Sequence, residues 1–88
     1  MNPEQASKLI MNPYMTEKTL ALIEKENTVV FIVHDSADKN SIRKAIKVLY
    51  DIDVDNINTA RTIYGKKAFV RLKKEGAARD LATKLGLV

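Results

Sequence analysis

Apolar residues fill both faces of one short stretch and only one face of the others, and this difference lays out the chain. From Thr28 to His34, Val29, Phe31 and Val33 point one way while Val30 and Ile32 point the other, which predicts a strand inside a sheet. Ile42, Ala45, Ile46, Leu49 and Tyr50 recur at helical spacing, with Arg43, Lys44 and Lys47 on the wet side, and predict an amphipathic helix capped from the polar stretch Ser36 to Asn40. Thr16 is a candidate N-cap for an earlier helix running to about Lys25, with Glu17 in its first turn and Glu26-Asn27 closing it. Lys8 to Met11 reads as an edge strand stopped by Asn12-Pro13. Asp53 to Tyr64 is a strand of weaker pattern, and Gly65 is the turn. Lys67 to Lys73 alternates strictly: Ala68, Val70 and Leu72 form one face and Lys67, Phe69, Arg71 and Lys73 the other. Ala78, Leu81, Ala82 and Leu85 make a last short helix after Gly76, with Gly86 at its C′ position. The expected fold is α+β, a four-stranded and mostly antiparallel sheet with three helices, in the order strand-helix-strand-helix-strand-strand-helix. Residues 1–7 are expected to be a flexible tail and 8–88 a single domain.

Charge adds a direction to this layout. From Arg61 to Val88 there are eight basic and two acidic side chains, a net +6, against −2 for residues 1–60, so the formal charge of +4 resides in the hairpin and last helix. A basic strand-forming end on a neutral-to-acidic body points to a polyanion. There is no cysteine, which excludes disulfides, thiolate catalysis and cysteine-ligated zinc and fits a reducing compartment. The longest apolar run, Val29 to Val33, is too short to cross a bilayer, so no membrane insertion is expected. Met1 to Ser7 lacks the apolar segment of a secretion signal.

Several constellations resemble catalytic or metal sites and fail on their defining positions. Asp51-Ile52-Asp53-Val54-Asp55 begins like a calcium loop, but Asn56 stands where the sharp turn needs glycine and Thr62 where a bidentate glutamate is required. His34 beside Asp35 has neither a cysteine nor a serine in an activated context to serve. Gly65, Gly76 and Gly86 are late and unclustered, so there is no phosphate-cradling loop of the kind small acylphosphatases use. Ala68-Phe69-Val70-Arg71-Leu72 echoes the tail of an RNA-recognition-motif signature, but Lys66 occupies a glycine position and the element order differs. No catalytic residue, metal or cofactor is expected. On the alternating strand, lysine and arginine can neutralise phosphates and Phe69 can stack on a base, or the ring can pack beneath a helix.

Three blocks together resemble one family. Pro13-Tyr14-Met15-Thr16-Glu17-Lys18 is similar to a P-x-x-T/S-E-K block that opens a helix. Phe31-Ile32-Val33 followed by Ala37-Asp38-Lys39-Asn40-Ser41-Ile42-Arg43-Lys44-Ala45 is similar to F-x-V and A-x-K-x-x-I-x-x-A. Val54 with Ile57-Asn58-Thr59, then Gly65-Lys66-Lys67-Ala68-Phe69-Val70-Arg71-Leu72, is similar to V-N-T and K-K-A-Y/F-V-x-L. In this order, from about Leu9 to the C-terminus, they resemble the universal family of ribosomal protein twenty-three of the large subunit. The ending Leu81 to Val88 looks archaeal.

The resemblance implies a non-catalytic constituent of the cytoplasmic large ribosomal subunit, monomeric within the ribosome. It implies binding to large-subunit ribosomal RNA beside the polypeptide exit tunnel, among neighbouring ribosomal proteins, at the platform where nascent-chain factors such as the signal recognition particle dock. Carried over block by block, Thr16, Lys18, Lys39, Asn40, Arg43, Asn58, Thr59, Lys66, Lys67 and Arg71 are the expected RNA-binding residues, with Arg61 of the basic end beside them. Glu17 matches the acid that bacterial members present to the trigger factor chaperone and is the expected protein-docking residue. Bacterial members place a long basic loop between the last two blocks; here Ala60 to Gly65 fills that gap, so no loop is expected to reach into the tunnel. The competing expectation is a stand-alone small α+β RNA-binding or regulatory module that pairs through an edge strand.

Overall fold

The structure, a computed structural model, describes residues 1–87; Val88, the last residue of the archaeal-like ending, lies outside the described residues. In chain order the elements are α1 (Pro3–Leu9), β1 (Ile10–Pro13), α2 (Glu17–Glu26), β2 (Thr28–Val33), α3 (Lys39–Tyr50), β3 (Val54–Thr62), β4 (Gly65–Leu72) and α4 (Ala77–Lys84). The four strands form one sheet in the order β1-β2-β4-β3, and every pairing among the described residues is antiparallel.

The helix count corrects the expectation: among the described residues there are four helices, not three. The additional one, α1, occupies most of the stretch read as a tail and the first two residues read as the edge strand, which instead runs from Ile10 through Pro13. Asn2 caps it, Pro3 stands in its first turn, and Gln5 completes a capping box with Asn2 through bonds of 2.9 and 3.2 Å. Ala6, Leu9 and Ile10 follow at i, i+3 and i+4; Ala6 and Ile10 are buried, and α1 lies against α3. The signal is short and sits among polar residues, which is why hydropathy alone passes over it.

Elsewhere local chemistry and structure agree. Thr16 caps α2 through a reciprocal pair of bonds with Thr19, and Asn27 ends it in the left-handed region at φ 52°. β2 lies inside the sheet between β1 and β4, as its two apolar faces require. Asp38 caps α3 in a capping box with Ser41. The Ser41 backbone N–H, bonded to the Asp38 carboxylate at 2.7 Å, holds that carboxyl below its usual pKa, with the Ser41 hydroxyl and Lys66 assisting. At the other end of α3, Asp51 and Asp53 both take the Lys47 ammonium, at 3.1 and 3.4 Å, and raise its pKa. The start of the acid-rich stretch is thus a helix terminus whose two carboxylates, Asp51 and Asp53, share one lysine.

The core fills one side of the sheet. Val29, Phe31 and Val33 of β2 meet Ala68, Val70 and Leu72 of β4, Ile42, Ala45 and Ile46 of α3, and Ala78, Leu81 and Ala82 of α4. Tyr50 stacks on Phe31 with ring centroids 6.1 Å apart. Val30 is 1% exposed yet stands outside this cluster, because it points to the other side of the sheet.

Candidate nucleic-acid interface

Directly opposed residues of antiparallel strands point to the same face. Three rungs across β2, β4 and β3 define the face away from the core: Thr28–Arg71–Asn56, Val30–Phe69–Asn58 and Ile32–Lys67–Ala60. The alternate rungs Val29–Val70–Ile57, Phe31–Ala68–Thr59 and Val33–Lys66–Arg61 lie on the core side. The alternation therefore divides the expected basic strand. Lys67, Phe69 and Arg71 share the open face, while Lys66 lies opposite. Lys73 does not join them: β4 ends at Leu72, and the Lys73 backbone N–H bonds the Asp53 carbonyl at 3.2 Å.

α2 contributes to both sides. Its Ile23 joins the core, whereas Thr19 and Leu22 line a groove on the open face with Tyr14, Val30, Lys67 and Phe69. This groove has a volume of about 780 Å³, and Thr16, Glu17 and Lys18 complete its lining. Beyond Leu22 and Phe69 it continues into a smaller hollow of about 210 Å³ bordered by Glu26, Thr28, Asn56, Asn58 and Arg71. Phe69 is half-buried, belongs to both hollows and is absent from the core cluster.

At one end of the groove the Lys67 ammonium sits 3.8 Å from the centroid of the Tyr14 ring and 5.6 Å from that of Tyr64. The two ring centroids are 6.3 Å apart. Such a cation over an aromatic face is worth about 0.5–1 kcal/mol at an exposed site. Tyr64 reaches this position because β3 and β4 are joined by only Ile63 and Tyr64, with Thr62 paired to Gly65. The turn is closed by the Thr62 hydroxyl, which donates to the Gly65 carbonyl at 2.9 Å and accepts from the Tyr64 N–H at 3.2 Å. Gly65 adopts φ 113°, which only glycine takes without strain.

Tyr14 and Tyr64 are the residues that sequence reasoning missed. Tyr14 stands inside the first family block and Tyr64 directly before the turn glycine, but neither position says that they meet.

The remaining expected residues fall into three groups. Thr16 and Lys18 border the groove; the Thr16 hydroxyl accepts from the Thr19 N–H at 3.3 Å and so serves first as a cap. Lys66 and Arg61 lie at the core-side end of the sheet and tie down the loop before α3. Lys66 Nζ donates to the Ala37 carbonyl at 2.5 Å, and Arg61 reaches the Asp35 carboxylate at 3.5 Å and its carbonyl at 3.4 Å. Lys39 and Asn40 are exposed at the start of α3, and Thr59 is half-buried on the core face. Arg43 stands apart: its guanidinium donates to the Val54 carbonyl at 2.6 Å and joins α3 to β3. The His34–Asp35 pair does not form as a catalytic pair, since Asp35 binds Arg61 and His34 Nδ1 accepts from the Ser36 N–H at 3.1 Å.

The family model for ribosomal protein L23 matches residues 8–81. The chain is 47% identical over 83 residues to the large ribosomal subunit protein uL23 of Methanococcus maripaludis strain C7, covering 93% of this chain and 96% of the relative. The same protein of strain C5 matches at the same identity and coverage. That of Methanococcus aeolicus is 41% identical over 83 residues, again covering 93% and 96% of the two chains.

Proposed function

The chain belongs to the ribosomal protein L23 family, and on that premise we propose that it binds large-subunit ribosomal RNA beside the polypeptide exit tunnel and helps form the platform where nascent-chain factors dock. As a member of this family it is a large-subunit protein of archaeal type, working in the cytoplasmic ribosome. The relatives are large ribosomal subunit proteins, and the reading for this chain is non-catalytic.

One observation carries the RNA-binding part. The sheet face away from the core, partly overlaid by α2, sets a half-buried ring, Phe69, between Lys67 and Arg71 on the same strand. Cations neutralise phosphates and a ring offers a stacking surface, the combination RNA-binding sheets use. Lys66 and Arg61 near the hairpin turn, and Lys39 and Asn40 exposed at the start of α3, are suited to phosphate and sugar contacts that set orientation. The acid at the groove rim, Glu17, repels phosphate. The RNA backbone is assigned to Lys67 and Arg71, and Glu17, exposed at the start of α2 beside Lys18, is assigned to a protein partner such as the signal recognition particle.

The test is filter retention of purified archaeal ribosomal RNAs by the isolated protein. Large-subunit RNA is expected to be held at lower protein concentration than small-subunit RNA. Equal retention of the two would contradict the assignment and favour a stand-alone module.

A further inference from the structure

We propose that the groove between α2 and β4 is a seat for one unpaired nucleotide of the bound RNA, its base stacked on Phe69 and its two flanking phosphates held by Lys67 and Arg71. The proposal rests on the RNA-binding reading above and specifies which state of the RNA the face accepts.

The first argument is chemical. Leu22, Val30 and Phe69 give the groove an apolar lining, and Lys67 and Arg71 stand toward its two ends, each with an acid on the same lining, Glu17 and Glu26. A paired helix presents phosphates and sugars and keeps the faces of its bases stacked inside, so it would engage the cations and leave the apolar lining empty. A base turned out of its stack offers an aromatic face to that apolar lining, and base-on-ring stacking does not depend on which base it is.

The second argument is spacing. Lys67 and Arg71 each lie two residues from Phe69 on the same face, about 6.7 Å along the strand in either direction. A nucleotide centred on Phe69 has one phosphate on each side of its sugar, within reach of these two long side chains. The third is preorganisation. Lys67 is already fixed 3.8 Å over the Tyr14 ring, so less side-chain freedom is lost when a phosphate arrives. Across the ladder from Phe69 stands Asn58, exposed at the groove edge, whose amide can both donate to and accept from a base edge.

Ultraviolet crosslinking of the full chain to large-subunit ribosomal RNA, with mass spectrometry of the adducts, tests the seat alongside filter binding of Phe69→Leu. Leucine keeps apolar bulk at a position outside the core, and an unchanged urea midpoint will show that the fold is retained. The expected result is an adduct between Phe69 or Tyr14 and an unpaired nucleotide. Stacking of this kind implies a loss of roughly 5- to 150-fold per base when the ring is removed, and F69L is expected toward the lower end. Unchanged affinity of F69L, or adducts on paired nucleotides, would overturn the seat while leaving RNA binding in place. Failure of the wild-type protein to retain the RNA at all would overturn the RNA-binding reading itself, and the seat with it.

Discussion

Phe31→Ala is expected to destabilise the domain by about 3–5 kcal/mol. Phe31 is fully buried on the core face of β2, its ring stacked against Tyr50. Its partners across the ladder are Ala68 and Pro13, neither of which has a long side chain to fill the space a truncated ring leaves. At roughly 0.05–0.15 kcal/mol per residue, a chain of this size has about 4–13 kcal/mol of total stability, so this one substitution removes a large share of it. Urea denaturation is the measurement: the midpoint falls sharply while the slope is unchanged. A midpoint close to wild type would mean that the sheet-to-α3 interface is not the main support of the fold.

Asn27 is the second position of large expected effect, for a different reason. It ends α2 at φ 52° and its side chain makes three bonds to residues far along the chain. Its amide nitrogen donates to the carbonyls of Leu72 at 2.9 Å and Lys74 at 2.7 Å, and its amide oxygen accepts from the Ala78 N–H at 2.9 Å. The N-cap of α4 is Gly76, which has no side chain to offer, so Asn27 caps that helix from a distance. Its backbone carbonyl also accepts from the Leu72 N–H at 3.0 Å. Asn27→Gly keeps the left-handed backbone and removes only the side-chain bonds, at an expected cost of roughly 2–3 kcal/mol. Asn27→Ala adds the left-handed penalty, about 1–2 kcal/mol more. Asn27→Asp retains the acceptor but sets a carboxylate against two carbonyls, so it does not rescue. Alongside the urea midpoints, the Ala78 amide is expected to lose protection from hydrogen exchange in Asn27→Gly and Asn27→Ala, which remove its acceptor. Full protection of Ala78 in Asn27→Gly would remove the remote-cap role.

These two residues also mark what could be read from the chain. Alternation grouped Phe31 with Val29 and Val33 on one face of β2, but both faces are apolar, and only the packing of α3 and α4 shows which of them is the core. Thr16 was legible as a cap because its partner, Thr19, is three residues away. Asn27 could be read only as the end of a helix, since its partners are 45 to 51 residues further on. The same limit applies to the candidate interface. Period-two alternation put Lys67, Phe69 and Arg71 together, and the register keeps them so. Lys73 was lost from that face because Leu72 and Lys73 turn to bond Asn27 and Asp53, which alternation cannot foresee. Tyr14 and Tyr64 enclose Lys67 only once β1, β2 and β4 are aligned side by side, so their meeting is a property of the sheet. α1 is the opposite case: its capping box was written in Asn2, Pro3 and Gln5, but a seven-residue helix carries too few apolar positions to stand out.

The assignment of the open sheet face to RNA is tested most directly by a charge-matched salt titration. Lys67→Ala/Arg71→Ala and Lys73→Ala/Lys84→Ala remove the same charge, the first pair from the open face and the second from a hollow bordered by α4. In filter binding to large-subunit RNA, the log–log salt slope is expected to fall by about 1.4–1.8 for the first pair and to stay at the wild-type value for the second. Equal slopes for the two double variants, or a smaller slope for the second alone, would contradict the assignment.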